Sequence, residues 1–151
     1  MPSIIFTAPN RYIKRRKARR RTAYVKRDEW LSSRGFESYA DYLASPLWAT
    51  IRGAKIAVDP KCEICDEKAD HVHHLSYKPS VMMGKRRYWL VSVCKKCHHK
   101  IEFTKGGKKR TFSAALTRAK WMLIEAGAWK FHTTWGNKKG IKRVRDIQRS
   151  E

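Results

Sequence analysis

A chain of 151 residues is about one domain long, and small enough that a structural metal can be needed to staple it. Its 35 Lys and Arg against 13 Asp and Glu leave a net charge of +22, more than solubility asks for, which points to a polyanionic partner, nucleic acid above all. No apolar run approaches the roughly 20 residues that span a bilayer, and the patch Ile4-Ile5-Phe6 lacks the longer apolar core of a secretory signal, so membrane and secretory classes are both disfavoured.

The segment from Arg11 to Arg21 carries eight positive charges in eleven positions. Self-repulsion predicts an arm, residues 1–27, that stays disordered until it meets phosphates. From Asp28 to Val58 the pattern is helical: Phe36, Tyr39, Tyr42 and Leu43 recur at three- and four-residue steps, and Ser45-Pro46 reads as the N-cap and first position of a second helix. That helix is predicted to bury Leu47, Ile51 and Ala54, and such stripes read as core. A knuckle at Cys62–Cys65 follows, then two strands at about His71 to Tyr77 and Arg87 to Val93, rich in Val, Leu, Tyr and Trp, with a loop from Lys78 to Arg86 between them. His98 to Phe103 reads as a short helix stopped by Thr104 and Gly106-Gly107, and Lys105 to Arg110 as a second basic loop. Ser113 is a candidate cap for a helix from about Ala114 to Ala126, with Leu116, Ala119, Leu123 and Ala126 on one face and Gly127 ending it. Residues 127–151 read as a second basic, disordered tail, in which Lys138 to Arg149 add six positive charges. One domain, residues 28–126 with a core at 59–103, lies between the two basic extensions.

All four cysteines fall in two C-x2-C pairs, Cys62/Cys65 and Cys94/Cys97. Each pair presents two sulfurs at the reach one ion needs, which makes a closed tetrahedral Zn2+ site that holds the fold and does no catalysis. Thiols kept free for metal suit a reducing, cytoplasmic compartment. The 28 residues between Cys65 and Cys94 leave room for a whole strand pair between the knuckles. Closing the zinc site is expected to bring His73, His74 and His98 near one another. Two imidazoles on one divalent ion leave positions open for water and a phosphate oxygen, and the third then serves as general base. That is equipment for hydrolysing a phosphodiester.

Cys62-x2-Cys65, Val72-His73-His74-Leu75-Ser76-Tyr77 and Leu90-Val91-Ser92-Val93-Cys94-x2-Cys97-His98 together resemble the HNH endonuclease family, the ββα-metal nucleases. Tyr42-Leu43-x-Ser45-x2-Trp48-x2-Ile51-Arg52 is similar to the helical lead-in of small phage-type HNH proteins, so the resemblance covers about residues 39 to 103. It implies an α+β fold: a ββα-metal (HNH) module with four-cysteine zinc knuckles, flanked by helices and basic disordered tails. It implies His73 and His98 as ligands of a catalytic ion such as Mg2+, Mn2+, Ni2+ or Zn2+, and His74 as the general base. Glu102, one helical turn after His98, is a further candidate ligand. The implied activity is DNA cleavage leaving 5′-phosphate and 3′-hydroxyl ends, in the host cytosol if the chain is phage-encoded. A symmetric double-strand cut requires two active sites, hence a homodimer or a larger nucleoprotein assembly. Arg15, Arg16, Arg19, Arg20, Arg21, Lys85, Arg86, Lys108, Lys109, Arg110, Lys138, Lys139, Lys142 and Arg143 are the candidate phosphate contacts.

The chain departs from the family at Trp89, which stands five residues before the third cysteine. An asparagine or aspartate there normally braces the loop carrying the base. The departure keeps a second reading open, a catalytically inactive HNH-derived zinc module binding DNA or structured RNA. A second register is also open, with Asp70-His71 as the acid-histidine pair.

Overall fold

In the computed structural model, residues 23–133 and 139–143 are described, with side chains through Trp129. A helix is already formed at residue 23 and runs to 33 (α1), so residues 23–27 belong to a folded element and not to the arm that charge alone assigns them to. It is followed by α2 (Tyr39–Ala44) and α3 (Pro46–Val58), the hairpin β1 (His71–His74) and β2 (Leu90–Val93), α4 (Pro79–Met82) between those strands, then α5 (Lys95–Glu102) and α6 (Phe112–Glu125). The chain is therefore α+β. Among the described residues no helix is long and apolar enough to cross a membrane.

Ser45 ends α2 and starts α3: its hydroxyl accepts from Trp48 N at 3.2 Å, and Pro46 takes the first helical position, where its missing N–H costs nothing. The buried stripe of α3 is Trp48, Ile51 and Lys55 rather than Leu47, Ile51 and Ala54, and Ala54 faces solvent. Lys55 can be buried because its ammonium meets Asp59 one turn on and Glu63 Oε1 at 2.7 Å. Glu63 in turn accepts from Ser92 N at 3.0 Å and donates its own N–H to Ser92 O at 2.9 Å. The lysine thus ties α3 to the first cysteine pair, and the pair to β2. Lys55→Ala should cost about 3–5 kcal/mol in chemical denaturation, the usual loss when one partner leaves a buried ion network. An unchanged midpoint would mean that water already solvates both acids.

β1 and β2 pair antiparallel with His71 opposite Val93, Val72 opposite Ser92, His73 opposite Val91 and His74 opposite Leu90. Side chains alternate across a strand, so Val72, His74 and Leu90 face one way and His71, His73, Val91 and Val93 the other. The first face packs on Leu31, Tyr42, Trp48, Ile51, Val81 and Met82. The second packs on Ile101, Ala115, Ala119, Met122 and Leu123. Both strands are shorter than the composition predicts. Pro79 nucleates α4 inside the expected loop, and Arg87–Trp89 coils into a 3-10 turn before β2. Gly84 closes that crossing with φ +72°, and a Cβ there would come within 2.8 Å of Ile51 Cγ1, so the position admits only glycine.

α5 begins three residues before His98 because Cys94 is its N-cap: its sulfur accepts from Cys97 N at 3.4 Å, so the second cysteine pair is the first turn of the helix. α6 is capped by Thr111 rather than Ser113 and buries Ala115, Ala119, Met122 and Leu123, with Ala126 exposed. Gly127, at φ +70°, ends it as expected. The following residues are not an unstructured tail throughout: β3 (Trp129–Thr133) and β4 (Lys139–Arg143) pair antiparallel, Trp129 opposite Arg143. Trp129 is buried against the α5–α6 side of the core and lies along Tyr88, ring centres 5.5 Å apart. That packing gives the hairpin an apolar anchor that its charge conceals.

Candidate metal centres and cleft

The two cysteine pairs are built by different means. Cys62 and Cys65 sit on a turn closed by Asp66 N donating to Cys62 O at 3.0 Å and Cys62 N to Glu67 O at 2.7 Å, with Asp66 in the left-handed region at φ 61°. Cys94 and Cys97 sit on the first turn of α5. Folding of the β1–β2 hairpin brings the pairs together, with Cys65 and Cys94 sulfurs 3.6 Å apart. All four sulfurs lie within 4.8 Å of one another and none is in a disulfide. Burial and the neighbouring thiols push the Cys97 thiol up, and a cation among the sulfurs would hold it as the thiolate. The cluster is compatible with a structural metal.

A second set of donors, His73, His98 and Glu102, also falls within 4.8 Å. His73 comes from β1 and is buried; His98 and Glu102 share one face of α5, one turn apart. Glu102 Oε1 lies 3.3 Å from His73 Nδ1. Burial lowers the His73 pKa to about 3 and that of His98 to about 4, keeping both imidazoles neutral, the form that binds metal. Burial raises Glu102, and Lys109 partly offsets it. Two imidazole nitrogens and a carboxylate oxygen suit a divalent ion and leave coordination positions open.

His74 does not join this set. As strand alternation requires, its ring points to the opposite face, where Trp48 stacks on it at 4.4 Å between centres and Tyr39 Oη shares a hydrogen bond of 3.1 Å with its Nδ1. Because β1 ends at His74, both faces open into one cleft of about 920 Å³. Its lining includes His71, His73, His74, His98 and Glu102, the basic Arg27, Arg52, Lys109 and Arg110, and the tyrosines Tyr24, Tyr39 and Tyr77. Burial, then the charge of Arg27, lowers the His74 pKa to about 3, so its ring is neutral.

Lys109 and Arg110 reach the cleft because the turn after α5 folds back: Phe103 bridges to Lys109, and Arg110 N donates to Glu102 O at 2.7 Å. Lys108 is exposed and is not in the lining, and Lys85 and Arg86 lie on the turn after α4, also outside it. Lys139, Lys142 and Arg143 fall on β4. Arg15, Arg16, Arg19, Arg20, Arg21 and Lys138 lie outside the described residues.

Several cleft residues carry no sequence signal for a site. Tyr39 sits in a helical stripe that reads as core, and Arg27 falls within the basic extension. His71 is the exception. Its Nδ1 lies 2.6 Å from Asp70 Oδ1 and its ring stacks on His98 at 5.1 Å, so the Asp70-His71 pair flanks the donor set on the same face of β1. Arg52 caps this edge by donating to Asp70 O. Trp89 packs between the two sides of the core, and its carbonyl accepts from Leu75 N at 2.8 Å, which pins the end of β1 by backbone rather than by a side-chain amide. No family model, no curated protein and no solved structure matches the chain.

Proposed function

We propose that the chain is a metal-dependent endonuclease of the HNH type that hydrolyses phosphodiester bonds in DNA. The observation that carries this reading is the approach of His73, His98 and Glu102 to within 4.8 Å, with His74 at the next strand position and in the same cleft. His73, His98 and Glu102 would hold a divalent ion, which would supply Lewis acidity toward a phosphate and stabilise charge as it develops on the leaving oxygen. His74, neutral, accepts the proton of the attacking water. Arg52, Lys109 and Arg110 bind phosphates on either side of the scissile one, giving affinity without sequence information. Zn2+ suits the four-cysteine cluster, where a complete sulfur shell leaves no position for chemistry.

Two features favour the alternative, an inactive nucleic-acid-binding module: Trp89 replaces the family's asparagine, and His74 Nε2 is buried without a partner. Supercoiled plasmid incubated with the protein and Mg2+, Mn2+ or Ni2+, beside an EDTA control, separates the two. Metal-dependent nicking supports the nuclease. Tight binding with no cleavage by any ion supports the inactive module.

Binding should weaken linearly in log affinity against log salt, since each neutralised phosphate releases counterions. Arg110→Ala should reduce that slope by about one, the loss of a single phosphate contact. A slope unchanged by the substitution would remove Arg110 from the interface.

A further inference from the structure

We propose that Tyr39 is a positioning residue for His74, holding its ring as the tautomer with the proton on Nδ1 and leaving Nε2 as the basic nitrogen. A neutral imidazole has one donor and one acceptor nitrogen, and a phenol can do both. The 3.1 Å contact between Tyr39 Oη and Nδ1 is therefore compatible with either direction until the other atoms are counted.

Nε2 is the deciding atom. It is buried and has no hydrogen-bond partner. If Tyr39 donated to Nδ1, Nε2 would carry the hydrogen and be an orphaned buried donor, which folded proteins avoid more strongly than an under-used acceptor. If Nδ1–H donates to Tyr39 instead, the only unsatisfied atom is a lone pair. A ring contact braces Tyr39 from the other side. The Tyr39 and Tyr77 rings meet edge to face, centres 5.5 Å apart at 80°. The guanidinium of Arg27, 4.3 Å from the Tyr39 ring centre and 5.0 Å from that of Tyr77, holds the two phenols in place. Trp48, stacked at 29° on the imidazole, fixes the plane in which Nε2 points.

The bond from His74 Nδ1–H to Tyr39 thus leaves an unprotonated Nε2. It joins α2 to β1 across the helical face of the hairpin, away from the donor set of His73, His98 and Glu102. Its catalytic meaning rests on the nuclease reading, because only then does Nε2 receive a proton from water. The tautomer itself does not.

The test is ¹⁵N NMR of the full chain labelled in its histidine rings, with Zn2+ but no other divalent ion, assigned by loss of the His74 signals in His74→Gln. The expected spectrum has a protonated Nδ1 and an unprotonated Nε2 at His74, and Tyr39→Phe should move the proton to Nε2. In parallel, Tyr39→Phe should lower kcat for plasmid nicking by roughly 10- to 100-fold, a part of what a positioned base supplies, with KM unchanged. A wild-type ring protonated at Nε2 would overturn the proposal, whether or not Tyr39→Phe folds. A variant that keeps both the wild-type tautomer and its kcat would also overturn it. A wild type with the expected tautomer and no nicking would leave the proposal standing and remove the nuclease reading instead.

Discussion

Treating the purified chain with a strong chelator should abolish its cooperative thermal transition rather than shift it. Cys62, Cys94 and Cys97 are members of the α5–α6 side of the core, in contact with the same cluster as Val91, Val93 and Ile101. The sheet beneath them is a pair of four-residue strands, and an isolated two-stranded hairpin is at best marginal in water. An ion joining the cysteine pairs would therefore crosslink the turn at Cys62–Cys65 to α5 across that hairpin. Structural zinc sites contribute about 10–16 kcal/mol of apparent binding energy, as much as the whole stability of an ordinary domain. Cys94→Ser, which removes both a ligand and the α5 cap, should behave like the chelated protein. Circular dichroism through a melt, with zinc counted by elemental analysis, decides the matter. A sharp transition surviving in metal-free protein would show that packing alone holds the hairpin.

His74→Ala should lower plasmid cleavage by roughly 10²- to 10⁴-fold, the range a positioned general base supplies. DNA affinity should be unchanged, because the phosphate contacts proposed for Arg52, Lys109 and Arg110 do not involve that ring. Divalent-ion binding at His73, His98 and Glu102 should also persist, since His74 projects from the opposite face of β1. Alanine leaves a gap beside Trp48 and Tyr42, so the melting temperature should fall as well. The comparison is therefore of rate at a temperature where both proteins are folded. Full cleavage by the variant would displace His74 as base and turn attention to the Asp70-His71 pair, on the side of the strand that faces His98.

The local features of this fold are legible in the chain. Ser45-Pro46 starts a helix and Gly127 ends one because caps and terminators act through their own backbone neighbours. Each C-x2-C pair presents two sulfurs together because a fixed spacing sets their reach, although the β1–β2 hairpin is what joins the two pairs, and His98 and Glu102 share a face because helical periodicity puts them there. Features that depend on distant partners are not legible in this way. Lys55 takes a core position that a hydrophobic stripe assigns to Ala54, because Asp59 and Glu63 are folded against it. Residues 129–133 and 139–143 look like part of a charged tail, and pair because Trp129 finds a buried site on α6 and Tyr88.

The candidate site divides along the same line. The order of residues alone sets which atoms are available: four thiols, a run of imidazoles, a carboxylate one turn after His98, and a large excess of positive charge. How they are shared out comes from the tertiary fold. The alternation of β1 sends His73 to the carboxylate and His74 to Tyr39 and Trp48, and the end of the strand opens both faces into one cleft. Side-chain chemistry is a property of each residue. Which groups meet is set by the pairing register and by helices many residues away, and no local pattern encodes that.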